Sequence, residues 1–390
     1  MSKQLRIPAT YMRGGTSKGV FFSLDDLPLA ARQPGPERDA LLLRVIGSPD
    51  PYGKHIDGMG GGSSSTSKVV LVSKSDRPDH DIDYLFGQVA IDRPFVDWTG
   101  NCGNLSAAVG AFAIRRGLID RQQLPDNGHS RVRIWQCNIE KTIEAQIPVC
   151  EGEVEEAGDF YLDGVAFAAA EIEVSFIDPV DRALLPTGRV VDDLSVPELG
   201  SFNVSYINAG IPTLFLNASE LGLTGCESQA EVNSQPALLE KLEKVRAHGA
   251  LAMGLIDDLS QAKARQHTPK IAWVAPATSY QSSSGREIAK QDIDLVVRAM
   301  SMGQLHHAMM GTAAVAIASA AAVPGTLVSR AAGGTSKTRL CFGHPSGTLT
   351  VGAKASEQDG QWQIDKVVMS RSARVLMDGW VHIPSLSPAF

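Results

Sequence analysis

Apolar residues fall along the chain in two kinds of pattern. Short runs rich in β-branched and aromatic residues recur at 19–22, 69–72, 132–136, 142–148, 270–275, 348–351 and 362–368, and runs of that length and make-up predict strands. Turn signals separate them, among them Asp126-Asn127-Gly128 and Asp359-Gly360. The second pattern is helical. Residues 236–248 carry Leu238, Leu239, Leu242 and Val245 on one face, with Asn233 and Ser234 before them and Gly249 at the end, which predicts an amphipathic surface helix. Residues 104–116 and 312–322 are instead apolar nearly all round with small side chains, the make-up of helices buried on every side.

The two buried helices prompt a search for an internal repeat. Tyr11-Met12-Arg13-Gly14-Gly15-Thr16, followed by Val20-Phe21-Phe22 and Asp25-Asp26-Leu27, resembles Tyr206-Ile207-Asn208-Ala209-Gly210-Ile211, followed by Leu214-Phe215-Leu216 and Ser219-Glu220-Leu221. Asn101-Cys102-Gly103-Asn104 then precedes the first helix, and Met309-Met310-Gly311-Thr312 the second. Either likeness alone is of a kind chance produces. Two in the same order, at offsets of 195 (Gly15 to Gly210) and 208 (Cys102 to Met310), predict a duplicated architecture. Each half is then a sheet wrapped around a central helix. The boundary is expected near 185–200, giving domains 1–190, with Lys68 and Cys102, and 191–390, with Met310, or the same pair with the last strand returning to the first domain. A site between two such halves is the natural expectation.

Composition narrows the function. A length of 390 residues fits two or three domains with substantial cores. With 43% hydrophobic residues and a net charge of only −7, disorder is excluded. An acidic balance without blocks of like charge argues against a nucleic-acid or membrane-surface binder, yet leaves room for a locally basic pocket and an anionic small molecule. Five dispersed cysteines without a CxxC pair fit a reducing compartment without disulfides. The start MSKQLRIPATYMRGG has no apolar core of a signal peptide, and the uncharged stretch 308–325 is made of Ala and Gly rather than Leu, Ile and Phe. A cytoplasmic protein is expected.

Candidate chemistry gathers at a few places. A helix N-terminus offers unpaired N–H groups and positive dipole charge, so Cys102-Gly103-Asn104 is suited to hold a carboxylate, with a thiol available for proton transfer. A buried, inert Cys beside an Asn cap fits the same residues. Gly60-Gly61-Gly62-Ser63-Ser64-Ser65-Thr66-Ser67-Lys68 reads either as a linker or as a loop that delivers Lys68 to the rim of a core, where burial lets an amine act as a base. The run is not a Walker loop, since no Gly precedes Lys68 and Val69 follows it. Ser65-Thr66-Ser67-Lys68 fits the S-x-x-K of serine acyl-enzymes, whose companions K-T-G and S-D-N are missing. The turns Arg13 to Gly19, Gly333 to Lys337 and Gly343-His344-Pro345-Ser346-Gly347 could supply donors to a carboxylate or simply turn the chain. His306-His307, adjacent in sequence, should point apart and make no metal site. The residues alone thus describe a two-domain α/β enzyme with a cofactor-free Lys/Cys site for a carboxylate.

Tyr11-Met12-Arg13-Gly14-Gly15-Thr16-Ser17-Lys18-Gly19, Ile56-Asp57-Gly58-Met59-Gly60-Gly61, 63–68, Asp97-Trp98-Thr99-Gly100-Asn101-Cys102-Gly103-Asn104, His267-Thr268-Pro269-Lys270, Leu305-His306-His307-Ala308-Met309-Met310-Gly311-Thr312 and Gly343 to Gly347, in that order, closely resemble the PrpF family. These are the 2-methylaconitate cis-trans isomerases of the 2-methylcitrate route for propionate. The resemblance spans essentially the whole chain. It implies the α+β, diaminopimelate-epimerase-like fold: two pseudo-symmetric halves, each with a central buried helix in a mostly antiparallel sheet, and an active site between them.

Epimerases of that fold use a cysteine at the start of each central helix. Here Cys102 stands in the first half and Met310 in the second, and a thioether exchanges no proton. By resemblance Lys68 becomes the principal base, with Cys102 as auxiliary acid/base or pocket residue. Arg13, Ser17, Ser64, Asn101, Gly103, Asn104, Lys270, Met310, Gly311 and Ser346 are the implied substrate-binding positions. The implied substrate is a tricarboxylate, methylaconitate or aconitate, handled without cofactor or metal. Functional coupling to an Fe-S 2-methylcitrate dehydratase is implied, a homodimer is the assembly to test, and neither nucleic acid nor membrane is a partner. The rivals are an oxalomesaconate-type tautomerase of the same family, a non-catalytic helper of the dehydratase, and a Ser65 acyl-enzyme.

Overall fold

The computed structural model describes residues 4–180 and 183–384. The chain forms two compact units, one of Met1–Phe160, Ala168–Val174 and Arg371–Phe390, the other of Tyr161–Phe167 and Ser175–Ser370.

In the first unit, strands Leu5–Gly14 and Ser17–Ser23 form an antiparallel hairpin. Ser17–Ser23 runs parallel to Lys68–Lys74, which pairs antiparallel with Ile82–Val89. Ile82–Val89 lies parallel to Asn127–Gln136, and that strand pairs antiparallel with Lys141–Cys150. Period-2 burial fixes the faces: Ile143, Ala145, Ile147 and Val149 point inward, while Thr142, Glu144 and Gln146 are half-exposed. The strand Ala373–Ile383 returns to pair with Leu5–Gly14. The helix Ser106–Arg115 is buried through Ile114 and packs on this sheet.

The second unit repeats the order. A hairpin of Gly200–Ala209 and Ile211–Asn217 is followed by Lys270–Pro276 parallel to it, Leu295–Ser301 antiparallel, Arg339–His344 parallel and Gly347–Gln358 antiparallel. The helix Gly311–Ala322, buried at all twelve positions, stands between the fourth and fifth strands, as Ser106–Arg115 does in the first unit. The same connectivity occurs twice, with a lysine opening the third strand each time.

Several expectations shift. The first central helix begins at Ser106 because residues 103–105 form a turn, and the second begins one residue early, at Gly311. Asn127-Gly128 do not turn the chain: they open a strand and pair with Cys150 and Val149. Asp359-Gly360 do turn it, with φ of 51° and 74° between the partners Gln358 and Gln361. The amphipathic helix extends to Ala252 and passes through Gly249. A further helix, Pro36–Ile46, carries signals that the opening pattern left unused: Pro at its first turn, buried Leu41, Leu42, Val45 and Ile46, and left-handed Gly47 after it.

All five cysteines are free thiols. Among the described residues no helix is long and apolar enough to cross a membrane, and no group of three or more His, Cys, Asp or Glu is placed to hold a metal ion.

Candidate active site

Lys68 ends the Gly/Ser run and opens its strand, pairing with Gln88 on one side, while the ladder to Ser17–Ser23 on the other begins at the next residue, Val69. The run before it is packed rather than loose. Thr66 N–H donates to the Ser63 carbonyl at 3.0 Å, Lys18 N–H to the Ser65 carbonyl at 3.0 Å, and Ser67 Oγ to the Val89 carbonyl at 2.8 Å. Gly60 lies so close to His55 that a Cβ there would sit 2.1 Å from His55 Nδ1. The linker reading is thereby excluded.

The Lys68 side chain is buried. Its amine donates to Gln88 Oε1 and lies 4.9 Å from the centre of the Phe86 ring. Burial drives the amine pKa down, and the nearby Cys102 pulls the other way without overcoming it. A buried lysine shifted in that direction is a candidate base.

Cys102 is held by its carbonyl, which accepts from Ser106 N–H at 3.0 Å, Ser106 Oγ at 3.0 Å and Tyr84 OH at 3.4 Å. These bonds close the turn of residues 103–105 ahead of the helix. Burial holds the Tyr84 hydroxyl well above its ordinary pKa, so it stays a neutral donor.

Asn104 ties this turn to the rest of the unit: Nδ2 donates to Thr16 Oγ1 at 3.0 Å and Oδ1 accepts from Arg371 Nε at 3.0 Å. Gly15, at φ 50°, passes so near that a Cβ would lie 2.4 Å from Asn104 Oδ1. Only glycine fits that approach. The conformation of the Gly14-Gly15 turn thus serves the helix start.

Asn101, next to Cys102, is 2% exposed, and neither its side-chain oxygen nor its nitrogen has a protein hydrogen-bond partner. An unmatched buried amide costs about 1–3 kcal/mol, so such groups call for a partner outside the chain.

The remaining candidates of the first unit have plainer settings. Arg13 donates from Nη1 to the carbonyls of Gly15 (3.0 Å) and Ser372 (2.9 Å), clamping the hairpin turn. Burial and then Arg374 lower its pKa, opposed by Glu156. Ser17 is buried opposite Gly14 in that turn, and Ser64 is half-buried with its carbonyl accepting from Gln88 Nε2 at 3.3 Å. Gly103 is buried in the turn between Cys102 and Asn104.

The other four candidates lie in the second unit. Lys270 is buried, with Nζ 3.4 Å from His267 Nδ1. Met310 caps the second central helix with its carbonyl accepting from Ala314 N–H at 2.9 Å, and Gly311 is the first helical residue. Ser346 Oγ donates to the His307 carbonyl and its N–H to His344 Nδ1 at 3.2 Å. The rings of His306 and His307 do not point apart: they stack with centres 4.6 Å apart. Of the hydroxyl-rich turns, that at 333–337 is structural, with Lys337 paired to Asp294 at 2.7 Å and Ser336 Oγ bound to the Ala322 carbonyl at 2.8 Å.

Three residues near Lys68 and Cys102 carried no sequence signal. Phe86 and Gln88 lie in the second half of the strand Ile82–Val89 without a motif, legible only once Lys68 is paired across from Gln88. Arg371 ends the strand Gln361–Arg371, 267 residues along the chain from Asn104, yet is wholly buried beside it. Burial pushes its pKa down to about 10 against the pull of Cys102, so it stays cationic at neutral pH. An amine base, a thiol, a buried cation and an unmatched amide suit proton transfer next to a carboxylate.

Comparison with known proteins gives the family of the chain. A family described as PrpF protein matches residues 4–384. A 2-methyl-aconitate isomerase of Shewanella oneidensis is 63% identical over 387 residues, 98% of each chain. The crystal structure of a methylitaconate-delta-isomerase is 35% identical with a TM-score of 0.77, covering 100% of this chain and 99% of that one. A hydroxyproline epimerase from Agrobacterium vitis, 11% identical with a TM-score of 0.56 over 100% and 95% of the two chains, shares the fold.

Proposed function

Because the chain belongs to the PrpF family, we propose that it is an isomerase converting trans-2-methylaconitate to cis-2-methylaconitate by an allylic proton shift. The fold is of the diaminopimelate-epimerase type. The observation that carries the reading is the likeness, at 63% identity across nearly the full length, to a 2-methyl-aconitate isomerase. It is supported by a buried lysine amine of lowered pKa beside a thiol.

Lys68 as the free base takes a proton from the carbon next to a substrate carboxylate. The electron pair left behind spreads through the adjoining double bond and into that carboxylate. A proton returned at the far end of the allylic unit leaves the double bond shifted and the composition unchanged. Charge developing on the carboxylate calls for fixed donors, which preorganised groups supply without reorganising. In the first unit the turn amides of Gly103 and Asn104, the Asn101 side chain and the charge of Arg371 are the candidates, with Ser17 and Ser64 as neighbouring hydroxyls. Arg13, already committed through Nη1 to two carbonyls, is the weakest of them. Lys270, Met310, Gly311 and Ser346 rest on family resemblance. On this reading Cys102 returns or relays a proton as an auxiliary acid/base.

On this reading the enzyme works in sequence with an Fe-S 2-methylcitrate dehydratase in propionate breakdown. Proton NMR of purified protein incubated with trans-2-methylaconitate in deuterated water tests the activity. The reading expects cis-2-methylaconitate carrying solvent deuterium; turnover of 4-oxalomesaconate alone would overturn it.

A further inference from the structure

Lys68 and Gln88 are direct partners in the antiparallel pairing of their strands, and both side chains are buried. Gln88 Nε2 donates to the carbonyl oxygens of Ser67 at 2.9 Å and Ser64 at 3.3 Å. Carbonyl oxygens only accept, so the Gln88 amide has one permitted orientation, nitrogen toward the loop and oxygen toward Lys68. The loop that dictates this orientation is itself fixed, by Ser67 Oγ on the Val89 carbonyl and Lys18 N–H on the Ser65 carbonyl. A lysine head group otherwise turns freely at the end of a four-carbon stem.

We propose that Gln88 is the positioning residue of the Lys68 base: its loop-anchored amide oxygen commits one amine N–H and so holds the nitrogen, lone pair turned away from the amide, in one place. The proposal rests on the reading of Lys68 as the base. A base must sit within hydrogen-bond reach of the proton it takes, so a defined amine position translates directly into rate.

The groups around the pair are few. Phe86 lies against the amine from the strand of Gln88. Asp97, paired with Gln88 on its other side, spends Oδ1 on Thr99 N–H at 2.8 Å and Thr99 Oγ1 at 2.6 Å. From the segment ahead of the helix comes Cys102, whose carbonyl accepts from Tyr84 on the strand of Gln88 and whose thiol is also within reach of the charge of Arg371, bound to Asn104. The neighbouring hairpin strand offers Lys18, whose amine lies over the Tyr11 ring.

Two variants separate positioning from mere packing. Gln88→Glu places a carboxylate against the amine and raises its affinity for a proton; Gln88→Met keeps the bulk, removes the acceptor and leaves burial opposed by Cys102 alone. The Lys68 Nζ signal of protein labelled with 15N-lysine, assigned with Lys68→Arg, is followed against pH, together with the acid limb of kcat/KM on trans-2-methylaconitate. The expected result is a shift upward in Gln88→Glu and downward in Gln88→Met, each by about one unit. In Gln88→Met kcat should also fall at least about tenfold while KM stays within about threefold. Unchanged Lys68 titration in the variants, even with lowered thermal stability, would overturn the proposal. If Gln88→Glu does not fold, Gln88→Met decides by the same criterion. Should the wild type not turn over trans-2-methylaconitate, the assigned substrate fails, while the Nζ titration still decides on Gln88.

Discussion

Arg371 donates from Nε to the side-chain oxygen of Asn104 at 3.0 Å, joining the residue that leads into the returning strand Ala373–Ile383 to the turn that opens the buried helix of the first unit. Asn104 in turn donates to Thr16 Oγ1. One side chain therefore ties three distant segments together, and Asn104→Ala leaves a buried guanidinium N–H without its acceptor. Destabilisation of about 1–3 kcal/mol is expected, read as a fall in the urea midpoint without a change in its slope.

The same turn explains the glycine before it. At Gly15 a methyl group would meet Asn104 Oδ1 at 2.4 Å on a backbone with φ 50°. Gly117 has a similar φ of 69° but open space around it. Gly117→Ala should show only the cost of a left-handed alanine, about 1–2 kcal/mol. Gly15→Ala should lose more stability than that and also lower kcat/KM by displacing Asn104. Equal effects in thermal unfolding and kinetics would sever the link between this turn and the site.

Asn101 predicts a trade of stability against binding. Its amide is buried and unmatched in the chain, so Asn101→Leu, which keeps the branching and removes both polar atoms, is expected to raise the unfolding temperature while raising KM. A more stable variant with unchanged KM would remove Asn101 from substrate binding.

Lys68 couples stability to pH. Its folded-state pKa lies below its value in the unfolded chain, so between the two pKa values the unfolded state binds more protons. Stability therefore rises with pH through that window, and below it the full penalty of a buried charge is felt. Lys68→Met should raise the melting temperature near neutral pH and flatten the rise toward alkaline pH. An identical pH dependence of melting in wild type and Lys68→Met would show that the lysine is not strained by burial.

The pattern of apolar positions disclosed most of the framework because strands and buried helices announce themselves by local chemistry: 142–148 alternates, and 312–322 has no polar face. The repeat was legible since both halves keep the hairpin and the small-residue helix. Asn127-Gly128 misled because the dipeptide that favours a turn also tolerates the start of a strand, and the pairing with Cys150 and Val149 decided between them. Gln88 and Arg371 stayed hidden for a different reason. Their meaning depends on pairing across strands and on a return of the chain from residue 371 to residue 104, which no local spacing encodes. Lys68 was legible as a lysine at the mouth of an apolar strand; what it touches was not.

The proposed reaction turns on Lys68 as the base. The most direct test is the rate at which wild type and Lys68→Ala convert trans-2-methylaconitate to its cis isomer in deuterated water, followed by proton NMR, with the acid limb of the wild-type pH profile recorded alongside. With Lys68 as the base, Lys68→Ala, folded by circular dichroism, is expected to lose at least about a hundredfold in kcat and to incorporate almost no deuterium, while wild-type activity rises with pH through a pKa below that of an ordinary lysine. Turnover near the wild-type rate in Lys68→Ala would contradict it.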